Sequence, residues 1–138
     1  MTLALGILSF GLIVLLGIFS SGLSAGIKSK TEISAAHLAS TLLATRRAAP
    51  TKAIADFPLP PLDTVPTGYQ ACWADENGTL LAGSQGAFYR VVYAVKRLPT
   101  GTARIYLSLS HPAISSSNPL NTSAATMTYE ALTYIRLP

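Results

Sequence analysis

Residues 2–27 read TLALGILSFGLIVLLGIFSSGLSAGI, and this stretch decides the fold. It carries no charged side chain: all ten basic and six acidic residues of the 138-residue chain lie from Lys28 onward. Leu3 to Phe19 is almost wholly apolar, and Ser20 to Ala25 is small and mildly polar. A helix needs about 20 such residues to cross the hydrocarbon of a bilayer. A core helix this apolar would need more protein around it than the chain supplies. A cleaved signal peptide is a competing reading, because Leu23-Ser24-Ala25 resembles a small-residue cleavage site. Against it, no basic segment precedes the apolar run, which is also longer than a usual signal core. The expectation is a permanent membrane helix over residues 1–27.

The helical pattern continues past the apolar block. From Lys28 to Arg47 the sequence turns amphipathic, with Ile27, Thr31, Ser34/Ala35, Leu38, Leu42 and Thr45 three or four apart in one mild stripe. No Gly or Pro interrupts residues 27–49, and Ala49-Pro50 supplies the stop, since a residue before proline is pushed out of the α region. One helix of about 45 residues, roughly 70 Å long, is expected, with residues 28–49 as its amphipathic half. Gly22 and Gly26 form a GxxxG match, a spacing that lets apolar helices approach closely, although glycine is also common in membrane helices.

Residues 50–68 hold five of the nine prolines and read as a non-helical connector over the surface. After Gly68 the hydrophobic period changes from helical to alternating. Strands are expected at 69–74, 79–82, 88–98, 103–110 and 127–137. Asn77-Gly78 marks a hairpin, because both residues tolerate positive φ. Tyr89, Val91, Tyr93 and Val95 share one face, and so do Ala103, Ile105, Leu107 and Leu109. Arg90, Lys96 and Arg104 fall on the other. Residues 114–126, rich in Ser, Asn and Thr, read as a loop. An antiparallel sheet with one apolar face must be covered, and the outer half of the helix is the only long amphipathic element available. The fold class is therefore α+β: a long N-terminal helix, membrane-spanning then amphipathic, packed on a small antiparallel head at 69–138.

This layout resembles type IV pilins and type II secretion pseudopilins. Met1-Thr2-Leu3-Ala4-Leu5-Gly6-Ile7-Leu8 is similar to the part of the family motif that follows its glutamate. The likeness covers residues 1–47; the head is similar in architecture alone. The Tyr- and Ser-rich head resembles the pilin-like proteins of Verru_Chthon cassettes. The resemblance implies a bacterial inner-membrane protein with a periplasmic head. It implies assembly with other pilin-like subunits into a filament reaching the cell surface, with the apolar helices as the filament core. The packing surface would be Leu3, Leu5, Ile7, Leu8, Leu12, Ile13, Leu15, Leu16, Ile18 and Phe19, with Gly22 and Gly26. Lys28, Lys30 and Glu32 would set electrostatic register between subunits, and Gly11 and Gly17 would let the helix loosen locally. The family's basic leader, processing glycine and glutamate would stand upstream of Met1. Two readings stay open: a start placed at a Met inside the motif, or a variant without those parts. The basic residues after the apolar block, Lys28, Lys30, Arg46 and Arg47, would by themselves put the head in the cytoplasm; a basic leader would reverse this.

Signals for chemistry are few. His37 and His111 have no second ligand at metal spacing, and no phosphate-binding, dinucleotide-binding or G-x-S-x-G pattern occurs. Asp75-Glu76 reads as a solvated turn, and Asn77-Gly78-Thr79 and Asn121-Thr122-Ser123, though glycosylation patterns, read as turn chemistry. The single cysteine, Cys72, excludes an intrachain disulfide. Net charge is +4 with scattered basic residues, so no nucleic-acid partner is indicated, nor a cofactor, a metal or a small-molecule substrate. A structural, non-enzymatic subunit is expected; the alternative is a membrane-anchored binding module whose helix only tethers the head.

Overall fold

The computed structural model describes residues 2–113, 118, 121, 124, 125 and 127–138, with the backbone alone for residues 2–10. Helix α1 runs from Thr2 to Ala48 as one continuous element. Alanine and straight-chain leucine carry it with little loss of rotamer freedom. Arg46 and Arg47 occupy the last turn, where cations face the negative end of the helix dipole. The Ala49 N–H still reaches the Thr45 carbonyl at 3.1 Å, and Pro50 ends the run as expected.

The head is an open five-stranded antiparallel sheet. Its strands are β1 (Tyr69–Ala74), β2 (Leu80–Leu81), β3 (Tyr89–Leu98), β4 (Thr102–His111) and β5 (Met127–Arg136). Their spatial order is β2-β1-β3-β4-β5. Register carries the apolar positions onto one face: Cys72 opposes Val91, Val91 opposes Leu109, and Leu109 opposes Tyr129. One row down, Tyr93 opposes Leu107, which opposes Ala131.

The two hairpin loops share one construction. In Asp75–Gly78 the Gly78 N–H donates to the Asp75 carbonyl at 3.2 Å, and in Leu98–Gly101 the Gly101 N–H donates to Leu98 at 3.2 Å. Gly78 (φ 86°) and Gly101 (φ 70°) then take the left-handed step, the pattern of a three-residue loop closed by a glycine. Asn77 keeps a negative φ, so of the two residues that tolerate positive φ only Gly78 uses it. The Asp75 carboxylate holds the loop instead, accepting from the N–H groups of Asn77 (2.9 Å) and Thr79 (2.8 Å). The Thr79 bond is the largest cause holding the Asp75 pKa below its ordinary value.

The outer half of α1 covers the apolar face, as the pattern requires. Ala35, Leu38, Ala39 and Leu42 are buried in one cluster with Tyr89, Val91, Tyr93, Leu107, Leu109 and Met127. Burying each leucine contributes about 1.5–3 kcal/mol. The stripe is rotated from the expected one. Ser34 is exposed, Ile27 is 62% exposed, and Arg46 rather than Thr45 completes the buried line.

The helix covers only part of the face. The proline-rich connector does the rest, instead of lying over the surface. Leu59, Leu62 and Val65 are buried, Leu62 in a second cluster with Ala103, Ile105 and Ile135. Prolines remove N–H donors but leave carbonyls that need partners. Arg46 supplies them. Its Nη1 donates to the carbonyls of Ala49 (2.9 Å) and Lys52 (2.8 Å), its Nη2 donates to the Leu59 carbonyl, and the guanidinium lies 5.1 Å from the Phe57 ring centre. Burial pushes the Arg46 pKa down, and nearby Asp63 offsets part of that.

Replacing Arg46 by Met should destabilise the head by about 3 kcal/mol, because three carbonyls lose their donor in or near the core. Arg46→Lys should recover only part, since an ammonium cannot span the same fork. Gly78→Ala should cost roughly 1–3 kcal/mol, as a Cβ there strikes the Leu38 side chain and the backbone is left-handed. Thermal unfolding of the full chain in mild detergent, followed by near-ultraviolet circular dichroism, checks all three.

Candidate assembly surface

Among the described residues, the inner half of α1 from Gly11 to Phe19 is exposed beyond the head. Leu12, Ile13, Leu15, Leu16, Ile18 and Phe19 are all 58–74% exposed, on every side of the helix. Leu3, Leu5, Ile7 and Leu8 sit on the same helix, with side chains outside the described residues. A helix apolar all round is stable only when lipid or other protein surrounds it. α1 is long and apolar enough to cross a membrane. Added methyl groups at Gly11, Gly17, Gly22 or Gly26 would meet open space, so the head uses none of these glycines. The GxxxG pair therefore remains available to a neighbouring helix.

Lys28, Lys30 and Glu32 are exposed on the turns where the helix approaches the head. Arg46, counted with them from sequence as a basic residue after the apolar block, is instead buried in the head, so the exposed basic residues beside that block are Lys28 and Lys30. Arg47 faces the sheet, and its Nη2 donates to Thr133 Oγ1 at 3.1 Å.

The face of the sheet turned away from α1 has its own polar organisation. Arg90 is buried there over Trp73, 5.7 Å from the ring centre, and donates to the carbonyls of Asn118 (3.0 Å) and Asn121 (3.2 Å). This ties two described residues of the Ser- and Asn-rich stretch to the head; the remaining expectation for 114–126 falls mostly outside the described residues. On the face toward α1, His111 stacks on Phe88 with ring centres 4.1 Å apart, and its Nδ1 lies 2.9 Å from the Phe88 carbonyl. His37 is exposed on the helix, away from this contact. Cys72 is half-buried, its thiol aimed at the Pro58 carbonyl at 3.5 Å, and burial pushes its pKa up to about 12.

At the far end of the outer face from Arg90, sequence reasoning passed over a groove of about 720 Å³ between the end of the connector and strands β3 to β5. Tyr69, Tyr106 and Leu132 give it apolar walls, and Lys96, Arg97 and Arg104 bring three cations to it. The alternation had placed Lys96 and Arg104 on the outer face; only the β3–β4 register sets them directly opposite one another.

No protein-family model matches the chain, and neither a curated protein nor a solved structure matches it. In shape, the long apolar N-terminal helix laid on an antiparallel sheet is pilin-like.

Cys72 should resist thiol reagents at pH 8, because almost none of it is thiolate there. Labelling should appear only with unfolding, and timed alkylation with mass spectrometry through a denaturant series measures this.

Proposed function

We propose that the chain is a structural, pilin-like or pseudopilin subunit that assembles laterally through its apolar N-terminal helix. It would reside in the bacterial inner membrane with a periplasmic head and then enter a type IV pilus or type II secretion-like filament. The observation that carries this reading is the all-round exposure of residues 12–19 on a helix whose next turns are locked to the head. A simple tether would need only to be apolar. This helix also runs unbroken into the head, so neighbouring helices packed together would bring the heads into a repeating array. Glycines at positions 11, 17, 22 and 26, which contact no part of the head, give neighbouring helices room for close packing. Lys28, Lys30 and Glu32 would tune the stagger between copies at the edge of the apolar block.

The second reading, a membrane-anchored binding module, is favoured by the basic and aromatic groove at the end of the head remote from the apolar helix. The two readings make different demands on the inner helix. Assembly needs specific neighbours; tethering needs none.

Phe19→Cys in a Cys72→Ser background should yield a ladder of cross-linked species larger than dimer when membranes carrying the protein are oxidised. Gly22→Leu with Gly26→Leu should shorten that ladder while membrane insertion persists. Monomer alone, at every expression level, would sink the assembly reading and leave the tethered module.

A further inference from the structure

The groove on the outer face holds an arrangement that opposes the stability of the sheet. Lys96 and Arg104 are exposed cross-strand partners in the β3–β4 ladder. Like charges directly opposite one another are destabilising, and this position ordinarily takes opposite charges. Arg104 in turn opposes Tyr134, with Arg136 two residues further along β5. Arg97 closes the groove at its rim, donating to the Val65 carbonyl at 3.3 Å.

None of the chain's six carboxylates answers these cations. Glu32 is on the helix, and Asp75 and Glu76 lie at the opposite end of the sheet, in the loop after β1. Asp56 sits beside β2, where its carbonyl accepts from Leu80, and Asp63 acts on Arg46. Glu130 accepts the Tyr106 hydroxyl at 2.8 Å. Among the described residues, no carboxylate pairs with these cations, which leaves them open to an anion from outside the chain.

We propose that this groove binds an anionic saccharide unit, a sugar carrying carboxylate or sulfate groups. About 720 Å³ suits a body of drug-like size rather than a protein segment. Lys96 and Arg104 leave the sheet one ladder spacing apart, about 5 Å between Cα atoms, so both cationic ends can converge on anionic groups carried on one sugar or its glycosidic neighbour. Tyr69 and Tyr106 meet edge to face, with centroids 5.7 Å apart at 89°. That corner spends ring surface on itself, so it offers no stacking platform for successive nucleobases. It does offer an apolar angle edged by the Tyr106 hydroxyl, which donates to Glu130 and keeps its oxygen as an acceptor, and this fits the mixed C–H and O–H surface of a sugar ring. The groove is level with the C-terminal end of α1, roughly 30 Å along the helix from Ile27. A lipid headgroup at the edge of the apolar block is out of reach. The site is independent of whether the inner helix assembles or only anchors.

The test titrates the full chain, in detergent, with a heparin-derived hexasaccharide and an oligogalacturonate, with maltohexaose as the neutral counterpart and an oligo-dT strand as the nucleic-acid counterpart. Calorimetry should show saturable binding of both anionic sugars and none of maltohexaose. Lys96→Gln and Arg104→Gln should each weaken binding at least tenfold, while Lys52→Gln, an exposed basic residue of the connector, leaves it unchanged. The same two variants should raise the Tm of the unliganded protein by about 2 °C, since each relieves the like-charge pair. A purely structural role would lower Tm instead. Absence of saturable binding by both anionic sugars overturns the proposal. Tighter binding of oligo-dT, or equal weakening by Lys52→Gln, does so too.

Discussion

The junction between helix and head rests on one buried guanidinium. Arg46 closes the last turn of α1 and holds three connector carbonyls, those of Ala49, Lys52 and Leu59. A proline-rich strap has few donors of its own, so it cannot form a ladder and must be pinned from outside. Once pinned, it delivers Leu59, Leu62 and Val65 to the part of the sheet that the helix does not reach. Donors from the sheet finish the work: Cys72 reaches Pro58 and Arg97 reaches Val65. A cation is suited to this position because its fork satisfies several acceptors at once, which a neutral side chain cannot do.

This clamp also divides the helix into two regimes. From Ala35 to Arg46 the helix is a layer of the head, with small residues Ala35 and Ala39 allowing the sheet close. From Leu12 to Phe19, among the described side chains, it stands exposed and demands lipid or other helices. The two regimes share one unbroken helical backbone, so packing of the inner half would bear on the orientation of the head. That mechanical continuity is what makes an assembling subunit a stronger reading than a tether. The outer face of the sheet, with Arg90 sealed under Asn118 and Asn121 at one end and open cations at the other, is free for a separate task.

Much of the architecture was legible from local pattern. The charge-free block, the Ala-Pro stop and the alternation in 89–98 and 102–111 each encode an element through near neighbours, and the observed bounds differ by only a residue or two. Misreadings fell where the answer depends on distant residues. Arg46 reads in sequence only as one of the basic residues after the apolar block, because nothing local says that a proline strap will return over it. Residues 50–68 looked like surface because their apolar positions follow no period, yet a sheet of ten-residue strands leaves more apolar surface than half a helix can cover. Asn77-Gly78 marked the turn correctly but not its geometry, because the Asp75 carboxylate selects the loop.

By itself, then, the sequence determined which segments are helix and strand, where the helix ends, and which length of it no small head could bury, since these follow from residue period and side-chain polarity along a few turns. Tertiary structure alone decided how far the helix covers the sheet, which arginine becomes interior, and that Lys96 comes to face Arg104. Those outcomes depend on strand register and on competition for a shared buried surface. Both are set by packing between residues far apart in the chain, which local pattern does not encode.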